Sequence, residues 1–175
     1  MRSVLLYIAA SLDGYIARPD GSVDWLESFP NPDGSDFGYA DFFATIDTTL
    51  MGRNTYQEIL GFGEPFPYPN TVNYVFTHQK NLQSTNYVTI IHENPVEFVK
   101  NLKQQAGGNI WLVGGGQLNT SLLNADLIDD IWLTLLPIVL GEGIPLWAPT
   151  LTEKRFILAA HRVFSNGFIQ LHYKK

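Results

Sequence analysis

The stretch IWLVGGGQL, at residues 110–118, passes from an apolar segment directly into three glycines and then into residues of helical composition. Three successive glycines are costly because glycine loses more conformational entropy on folding than any other residue. They are expected where the backbone must pass close to a flat or phosphorylated ligand. The spacing differs from the GxGxxG dinucleotide fingerprint, so a flexible turn remains the alternative interpretation of this stretch.

A second glycine loop lies upstream, in the stretch LMGRNTY at residues 50–56. Gly52 is expected to permit a sharp turn and a close approach of the backbone to a ligand. The residues after it open a helix whose free N–H groups and dipole favour an anion. Arg53 adds a planar cation suited to phosphate, and Thr55 adds a hydroxyl donor. The alternative is a helix start with an exposed arginine. Two such loops together favour a dinucleotide that spans the carboxyl ends of the strands.

Apolar runs and turn signals around these loops predict an α/β fold with about eight strands and four helices. The predicted strands cover residues 4–10, 48–51, 71–77, 87–91, 109–113, 128–136, 156–164 and 168–173. The predicted helices cover 36–44, 54–60 and 117–123, with a fourth that starts at Asn94-Pro95 and stops at Gly107-Gly108. This order predicts three layers, with helices on both faces of a mixed, mostly parallel sheet that ends in an antiparallel hairpin.

Composition and charge narrow the class of protein. A chain of 175 residues, 45% hydrophobic and 16% charged, is expected to fold as one packed domain over residues 1–175. Eleven Lys and Arg against seventeen Asp and Glu give a net charge of -6, which disfavours a nucleic-acid surface. The absence of cysteine excludes disulfides and thiol catalysis, and it fits a cytoplasmic protein.

Membrane and metal functions have little support in the sequence. The apolar run at residues 4–10 is expected to be the first strand rather than a signal peptide. No stretch approaches the ~20 apolar residues that a membrane span requires. The four histidines are scattered without ligand spacing, so we assign no metal.

Four motifs together resemble a known superfamily. The segment MGRNTY at residues 51–56, paired with VGGG at 113–116, resembles the two cofactor motifs of dihydrofolate reductases. The segments SLDGYIA at 11–17 and PIVLGEGIPL at 137–146 resemble the reductase domain of bacterial riboflavin biosynthesis deaminase-reductases. The resemblance covers nearly the whole chain. It implies a dihydrofolate-reductase-like fold and NADPH-dependent hydride transfer to a small pterin-like or ribosylaminopyrimidine-like substrate.

The resemblance also implies which residues line an NADPH site. The 2′-phosphate side and the pyrophosphate would be held by Gly52, Arg53 and Thr55. The opposite half would be lined by Gly114, Gly115, Gly116 and Gln117. The adenosine phosphate would contact Thr77 and His78, and the nicotinamide would rest near Ala10 and Ile16.

The residues expected on the substrate side differ from those of both folate reductases and riboflavin reductases. No Lys or Arg occurs between Arg53 and Lys80, where folate reductases carry an arginine for the glutamate tail. A buried carboxylate without a partner is costly, so dihydrofolate is disfavoured. Riboflavin reductases usually place lysine where this chain has Tyr15, which leaves a ribose-phosphate substrate open.

Three side chains are candidates for a catalytic or substrate-binding role, and each has a second, structural interpretation. Asp36 precedes Gly52 by the spacing of the substrate-binding acid in folate reductases, and it is the candidate catalytic residue. Its alternative role is to cap a helix, in which case protonation comes from water. Trp25 either covers the substrate or packs in the core. Asp13 is expected to form a turn rather than to catalyse.

The sequence leaves more than one function open. A non-catalytic NADP(H)-binding protein or redox sensor is the alternative to a reductase, whereas a structural module leaves both glycine loops unexplained. The apolar segment at residues 136–147 further predicts a homodimer.

Overall fold

The computed structural model describes residues 1–63 and 65–175. The strands are β1 (Val4–Ser11), β2 (Tyr15–Ala17), β3 (Ile46–Gly52), β4 (Val72–Phe76), β5 (Val88–Ile91), β6 (Asn109–Gly114), β7 (Asp130–Leu136), β8 (Ile144–Pro145), β9 (Ile157–Val163) and β10 (Ile169–Lys174). The α-helices are α1 (Tyr39–Phe43), α2 (Arg53–Gly61), α3 (Pro95–Lys103) and α4 (Gly116–Asn124), and a short 3₁₀ helix covers Asp24–Leu26. No helix in these ranges is both long enough and apolar enough to span a membrane.

Eight of the strands form one sheet in the order β5-β4-β3-β6-β1-β7-β10-β9. The strands from β5 to β7 are parallel, whereas β10 pairs antiparallel with both β7 and β9. The predicted mixed, mostly parallel sheet with a C-terminal hairpin is therefore confirmed.

Helices cover both faces of this sheet because successive strand residues point to opposite sides. On one face α3 and α4 bury Leu50 together with apolar residues of β1 and β6. On the other face α2 packs against Met51, and α1 packs through Phe42 against Leu5 and Trp111. The predicted three-layer arrangement is confirmed.

Two predicted helix boundaries were wrong. Helix α1 begins at Tyr39 rather than at residue 36, because Phe37 and Gly38 have positive φ angles of 57° and 84°. Helix α3 ends at Lys103 rather than at the glycine pair. Gly107 instead permits a close approach, since an added methyl group would lie 2.8 Å from Asp47 Oδ2.

A second, two-stranded sheet was not predicted. Strand β2 pairs with β8, which joins the loop after β1 to the loop after β7. These strands have three and two residues, which is too short for an alternating pattern to be recognised in the sequence.

Candidate cofactor site

Two helices begin side by side at the carboxyl edge of the sheet. Strands β3 and β6 are neighbours, and each runs directly into a nine-residue helix, α2 or α4. The residues that precede the helices, Gly52 and Gly115, have no side chain to cap them. No side chain of the described residues caps either helix start, and the dipole of each helix favours an anion there.

The two glycine loops and the loop after β1 converge at this edge. A methyl group added at Gly52 would lie 3.9 Å from the carbonyl oxygen of Gly114. One added at Gly115 would lie 3.5 Å from Thr55 Oγ1 and 4.0 Å from Ile16 Cδ1. Residues of three separate sequence motifs therefore meet around Gly52 and Gly115, which have no β-carbon.

The sharp turn expected at Gly52 was wrong, whereas the close approach of its backbone to a ligand stays a prediction. Gly52 has a φ of -78°, a conformation that any residue adopts, so no sharp turn requires it. Gly114 has a φ of 131°, which favours glycine, and the Gly114–Gly115 peptide is cis. At Gly116 an added methyl group would lie 2.2 Å from the carbonyl oxygen of Pro145, so the start of α4 sits directly against β8.

A row of polar residues follows three neighbouring strands. The register aligns Gly52, Phe76 and Ile91 across β3, β4 and β5. The next residues along the chain are Arg53, which begins α2, and Thr77 and His92, which follow β4 and β5. His92 Nδ1 lies 3.1 Å from the carbonyl oxygen of Thr77, so this nitrogen donates and Nε2 remains for a ligand.

Sequence reasoning singled out Arg53 and Thr77 as candidates but not His92. The register between parallel strands joined by long crossovers is not visible in a single sequence, so nothing singled out the residue after β5. Arg53 is half-buried, and its Nη2 donates to Asn54 Oδ1 at 2.8 Å. His78 and Gln117 are exposed at the same edge.

Asp13 connects the loop after β1 to the loop after β7. Its carboxylate accepts hydrogen bonds from Ser11 Oγ at 2.6 Å, Leu140 N at 3.1 Å and Gly141 N at 2.8 Å. The Ser11 hydroxyl bond is the main cause that lowers the Asp13 pKa below its usual range. The turn role expected for Asp13 thus includes a long-range contact beside Ile16.

Asp36 is exposed and bonded to its own helix. Its carboxylate accepts hydrogen bonds from the backbone N–H groups of Ala40 and Gly38, both at 2.9 Å. These bonds, that of Ala40 first, hold the Asp36 pKa below its usual range. A carboxyl group that is ionised at neutral pH is a poor proton donor, so this geometry favours the capping interpretation.

Two residues expected near the ligand are fully buried. Trp25 is fully buried against Leu136 and Phe168, which favours the core-packing interpretation. Ala10 is also fully buried, so it has no surface with which to contact a nicotinamide. The preceding residue, Ala9, is only half-buried and packs at the edge of the Trp25 cluster.

The sheet order, with helices on both faces and an antiparallel hairpin at the end, is an α/β fold of the dihydrofolate-reductase-like class. The RibD C-terminal domain model matches residues 2–170, and the chain belongs to this family. Two relatives from Bacillus subtilis (strain 168) match most of the chain. Uncharacterized protein YwjB is 41% identical over 172 residues, covering 98% of this chain and 97% of its own length. Uncharacterized protein YyaP is 34% identical over 186 residues, covering 98% and 94%.

Solved structures support the same assignment. A putative riboflavin biosynthesis protein from Shewanella sp. PV-4 superposes with a TM-score of 0.87 at 31% identity, over 98% of both chains. The diaminohydroxyphosphoribosylaminopyrimidine deaminase/5-amino-6-(5-phosphoribosylamino)uracil reductase of Thermotoga maritima gives 0.74 at 18% identity, over 99% of this chain and 56% of that one. Enterococcus faecalis dihydrofolate reductase, complexed with NADP(H) and RAB-propyl, gives 0.71 at 20% identity, over 98% and 95%. The last two show the fold alone.

Proposed function

We propose that this protein is a cytoplasmic, NADPH-dependent reductase that transfers a hydride to a small heterocyclic or carbonyl substrate. The observation that carries the proposal is the pair of helix starts behind Gly52 and Gly115. A dinucleotide needs backbone donors for its pyrophosphate and a surface free of side chains for close approach. Family membership adds support, because the related Thermotoga maritima enzyme is named as a reductase.

The residues at this edge fit NADP(H). The first N–H groups of α2 and α4, together with the Thr55 hydroxyl, would hold the pyrophosphate. The row of Arg53, Thr77 and His92 would hold the adenosine 2′-phosphate, with His78 beside it. Ile16, Gly114 and the exposed Gln117 would border the nicotinamide half.

The bound cofactor would supply the hydride, so that substrate, NADPH and one proton give the reduced substrate and NADP⁺. The chain's own share is positioning and electrostatics. Because Asp36 is exposed and bonded to its own helix, we assign the proton to solvent water rather than to this carboxyl group.

A non-catalytic NADP(H)-binding protein or redox sensor is the second candidate. One observation favours it: Asp36, the acid expected to donate a proton, is exposed and accepts hydrogen bonds from the backbone N–H groups of Gly38 and Ala40. Both candidates require the same cofactor site and differ only in turnover.

An NADPH-consumption screen separates these candidates. The acceptors are neutral pterins, aminopyrimidine ribosides with and without a phosphate, quinones and small aldehydes. Oxidation of NADPH with one class supports the reductase, and an aminopyrimidine would give it a role in riboflavin biosynthesis. NADPH binding without oxidation by any acceptor supports the sensor. Dihydrofolate is expected to react with kcat/KM well below ~10⁴ M⁻¹s⁻¹.

A further inference from the structure

The C-terminal hairpin of β9 and β10 leaves large apolar side chains open to solvent. Strand β9 lies at the edge of the large sheet, and all seven of its residues are exposed. Val163 is 68%, Leu158 48% and Ile169 39% exposed. Single apolar residues on a surface need no explanation, but a contiguous group of them marks an interaction site.

The strand register shows that these side chains share one face of the sheet. Ile169 of β10 is paired with Val163 of β9 and with Leu135 of β7. Residues that are paired in this way point to the same face, as does every second residue along each strand. The next two rows of the face follow in the same way, the second of them across a β-bulge. We refer to this surface as the apolar hairpin face, which consists of Leu133, Leu135, Leu158, Val163, Ile169 and Leu171.

The opposite face of the same hairpin is polar. Gln170, Lys174 and Arg162 lie there and line a cleft of about 510 Å³. A sheet with one polar and one apolar face is typically in water on the first and buried on the second. On the apolar side the cluster that contains α3 and α4 reaches Leu133, but within the described residues it includes no other member of the apolar hairpin face. The outer part of this face therefore has the composition of an interior and is open to solvent.

The apolar hairpin face carries no charge that would repel an identical copy. None of its six residues is ionisable, and His161 and Tyr173 are the ionisable side chains paired with them in the register. The whole chain has a net charge of -6, so two copies repel one another over much of their surface but not here. The same net charge disfavours an anionic membrane as the occupant. In a two-fold contact each surface meets itself, and interface cores are depleted of charged residues.

The dimensions of the face suit a two-fold contact. Three strands spaced by about 4.8 Å and about 20 Å long present roughly 300 Å² in projection, which is the scale of functional apolar patches on single chains. With a polar rim, such a patch forms an interface of the standard size of about 800 Å² per partner. The edge of β9 is less suited to pairing with another strand, because a β-bulge interrupts its register with β10 between His172 and Tyr173.

We propose that two copies of this chain associate through their apolar hairpin faces, sheet against sheet, about a two-fold axis. Stacked sheets pack about 10 Å apart with interdigitated side chains. Each copy then covers Leu158, Val163 and Ile169 of the other. The contact lies on the hairpin rather than on residues 136–147, where Leu136 and Leu146 are buried within the chain itself.

The mass of the full protein in solution tests this inference, measured by sedimentation equilibrium between about 1 and 100 µM. We expect a dimer at about 10 µM, because interfaces of standard size have micromolar or tighter affinity. Tm is also expected to rise with protein concentration, since association stabilises the folded chain. A protein that stays monomeric at about 100 µM overturns the inference.

Val163→Glu places a carboxylate in the contact twice, once from each copy. An unpaired charge buried in an interface is strongly destabilising, so we expect the dimer Kd to rise by at least a hundredfold. The single chain should fold normally because Val163 is largely exposed in it, as far-UV circular dichroism would check. Ile169→Glu is a second variant with the same expectation, in case Val163→Glu does not fold.

Arg162→Glu is the matched control. Arg162 precedes Val163 on the same strand and is also exposed, but it lies on the polar face and lines the cleft. We expect this variant to keep a dimer Kd within about threefold of the parent protein. If Arg162→Glu and Val163→Glu weaken the dimer equally, the copies do not meet through the apolar hairpin face. A dimer that withstands both Val163→Glu and Ile169→Glu also overturns the inference.

Discussion

The glycines at the carboxyl edge of the sheet matter mainly because they have no side chain. Gly52 and Gly115 leave a surface without side chains between two helix starts, and Gly116 allows α4 to begin against the carbonyl oxygen of Pro145. These are packing requirements and not requirements for unusual backbone angles, except at Gly114. Substitutions should therefore act by filling space.

Gly116→Ala is expected to destabilise the fold. The added methyl group would lie 2.2 Å from a backbone oxygen, which cannot move aside as a flexible side chain can. Overpacking of this kind costs about 1–3 kcal/mol, measured as a lower midpoint in urea unfolding. Gly61→Ala is the control, because within the described residues no atom outside its own helix backbone and its chain neighbours lies within 4 Å of the added methyl group. That variant should be neutral or more stable by roughly 0.5–1 kcal/mol. Equal effects of the two substitutions would contradict the close approach.

Arg53→Ala tests the residue assigned to the adenosine 2′-phosphate. Charge-assisted hydrogen bonds of this type contribute roughly 1.5–3 kcal/mol. NADPH binding should therefore weaken by about ten- to a hundredfold, as titration by nicotinamide fluorescence would measure. NADH lacks this phosphate, so its Kd should change much less, and Lys at position 53 should recover only part of the loss.

Arg155→Ala is the control for this prediction. Its side chain is 92% exposed. Within the described residues it forms an ion pair with Glu153 alone, at 3.4 Å. Equal losses of NADH and NADPH affinity in Arg53→Ala would instead assign Arg53 to the pyrophosphate or to folding. No loss of either would leave it an exposed helix-start arginine.

At the scale of elements, the sequence predicted what depends on local pattern. Each strand of the large sheet was anticipated because apolar runs between turn signals are local features, and Asn94 caps α3 through bonds to Val96 N and Glu97 N. The start of α1 was missed because left-handed conformations at Phe37 and Gly38 delay it. The β2–β8 pair, the row that includes His92 and the burial of Trp25 depend on long-range register and packing, which one sequence does not reveal.

The Asp13 carboxylate joins the loop after β1 to the loop after β7 through Leu140 N and Gly141 N. We refer to this contact as the clasp, and we expect its contribution to stability to depend on pH. The Asp13 pKa is lowered in the folded protein, mainly by Ser11 Oγ. Its contribution to stability is therefore present above the unfolded pKa of about 3.9 and is lost as the pH falls through the lower folded value. Tm should fall below about pH 4, and Asp13→Asn should reduce that dependence.

Glu93→Gln is the control for the acid-sensitivity measurement, since Glu93 is exposed and distant in sequence from both loops. Tm of the three proteins would be compared between pH 7 and pH 3. An unchanged acid profile in Asp13→Asn, with normal folding at pH 7, would show that the clasp does not contribute.

At the scale of the whole molecule, the residues of the candidate cofactor site lie together at the carboxyl edge of the sheet, around Gly52, Gly114 and Gly115. The cleft of about 510 Å³ involves the first residues of the chain and of β7, together with α1, β9 and β10, and it shares no residue with the candidate cofactor site. The homodimer expected from residues 136–147 stays a prediction, and Leu136 and Leu146 of that segment are buried within the chain itself. The candidate cofactor residues thus lie outside the carboxyl ends of the strands, where other open α/β sheets bind their ligands.

Titration of the purified protein with NADPH tests the central claim, that the two glycine loops form one NADP(H) site, most directly. We expect saturable binding of one NADPH per chain, with a rise in Tm that grows with concentration as RT ln(1 + [L]/Kd) requires. NADH should bind more weakly because it lacks the 2′-phosphate. Absence of both binding and a Tm shift at millimolar NADPH would contradict the cofactor site, and with it the proposed reductase.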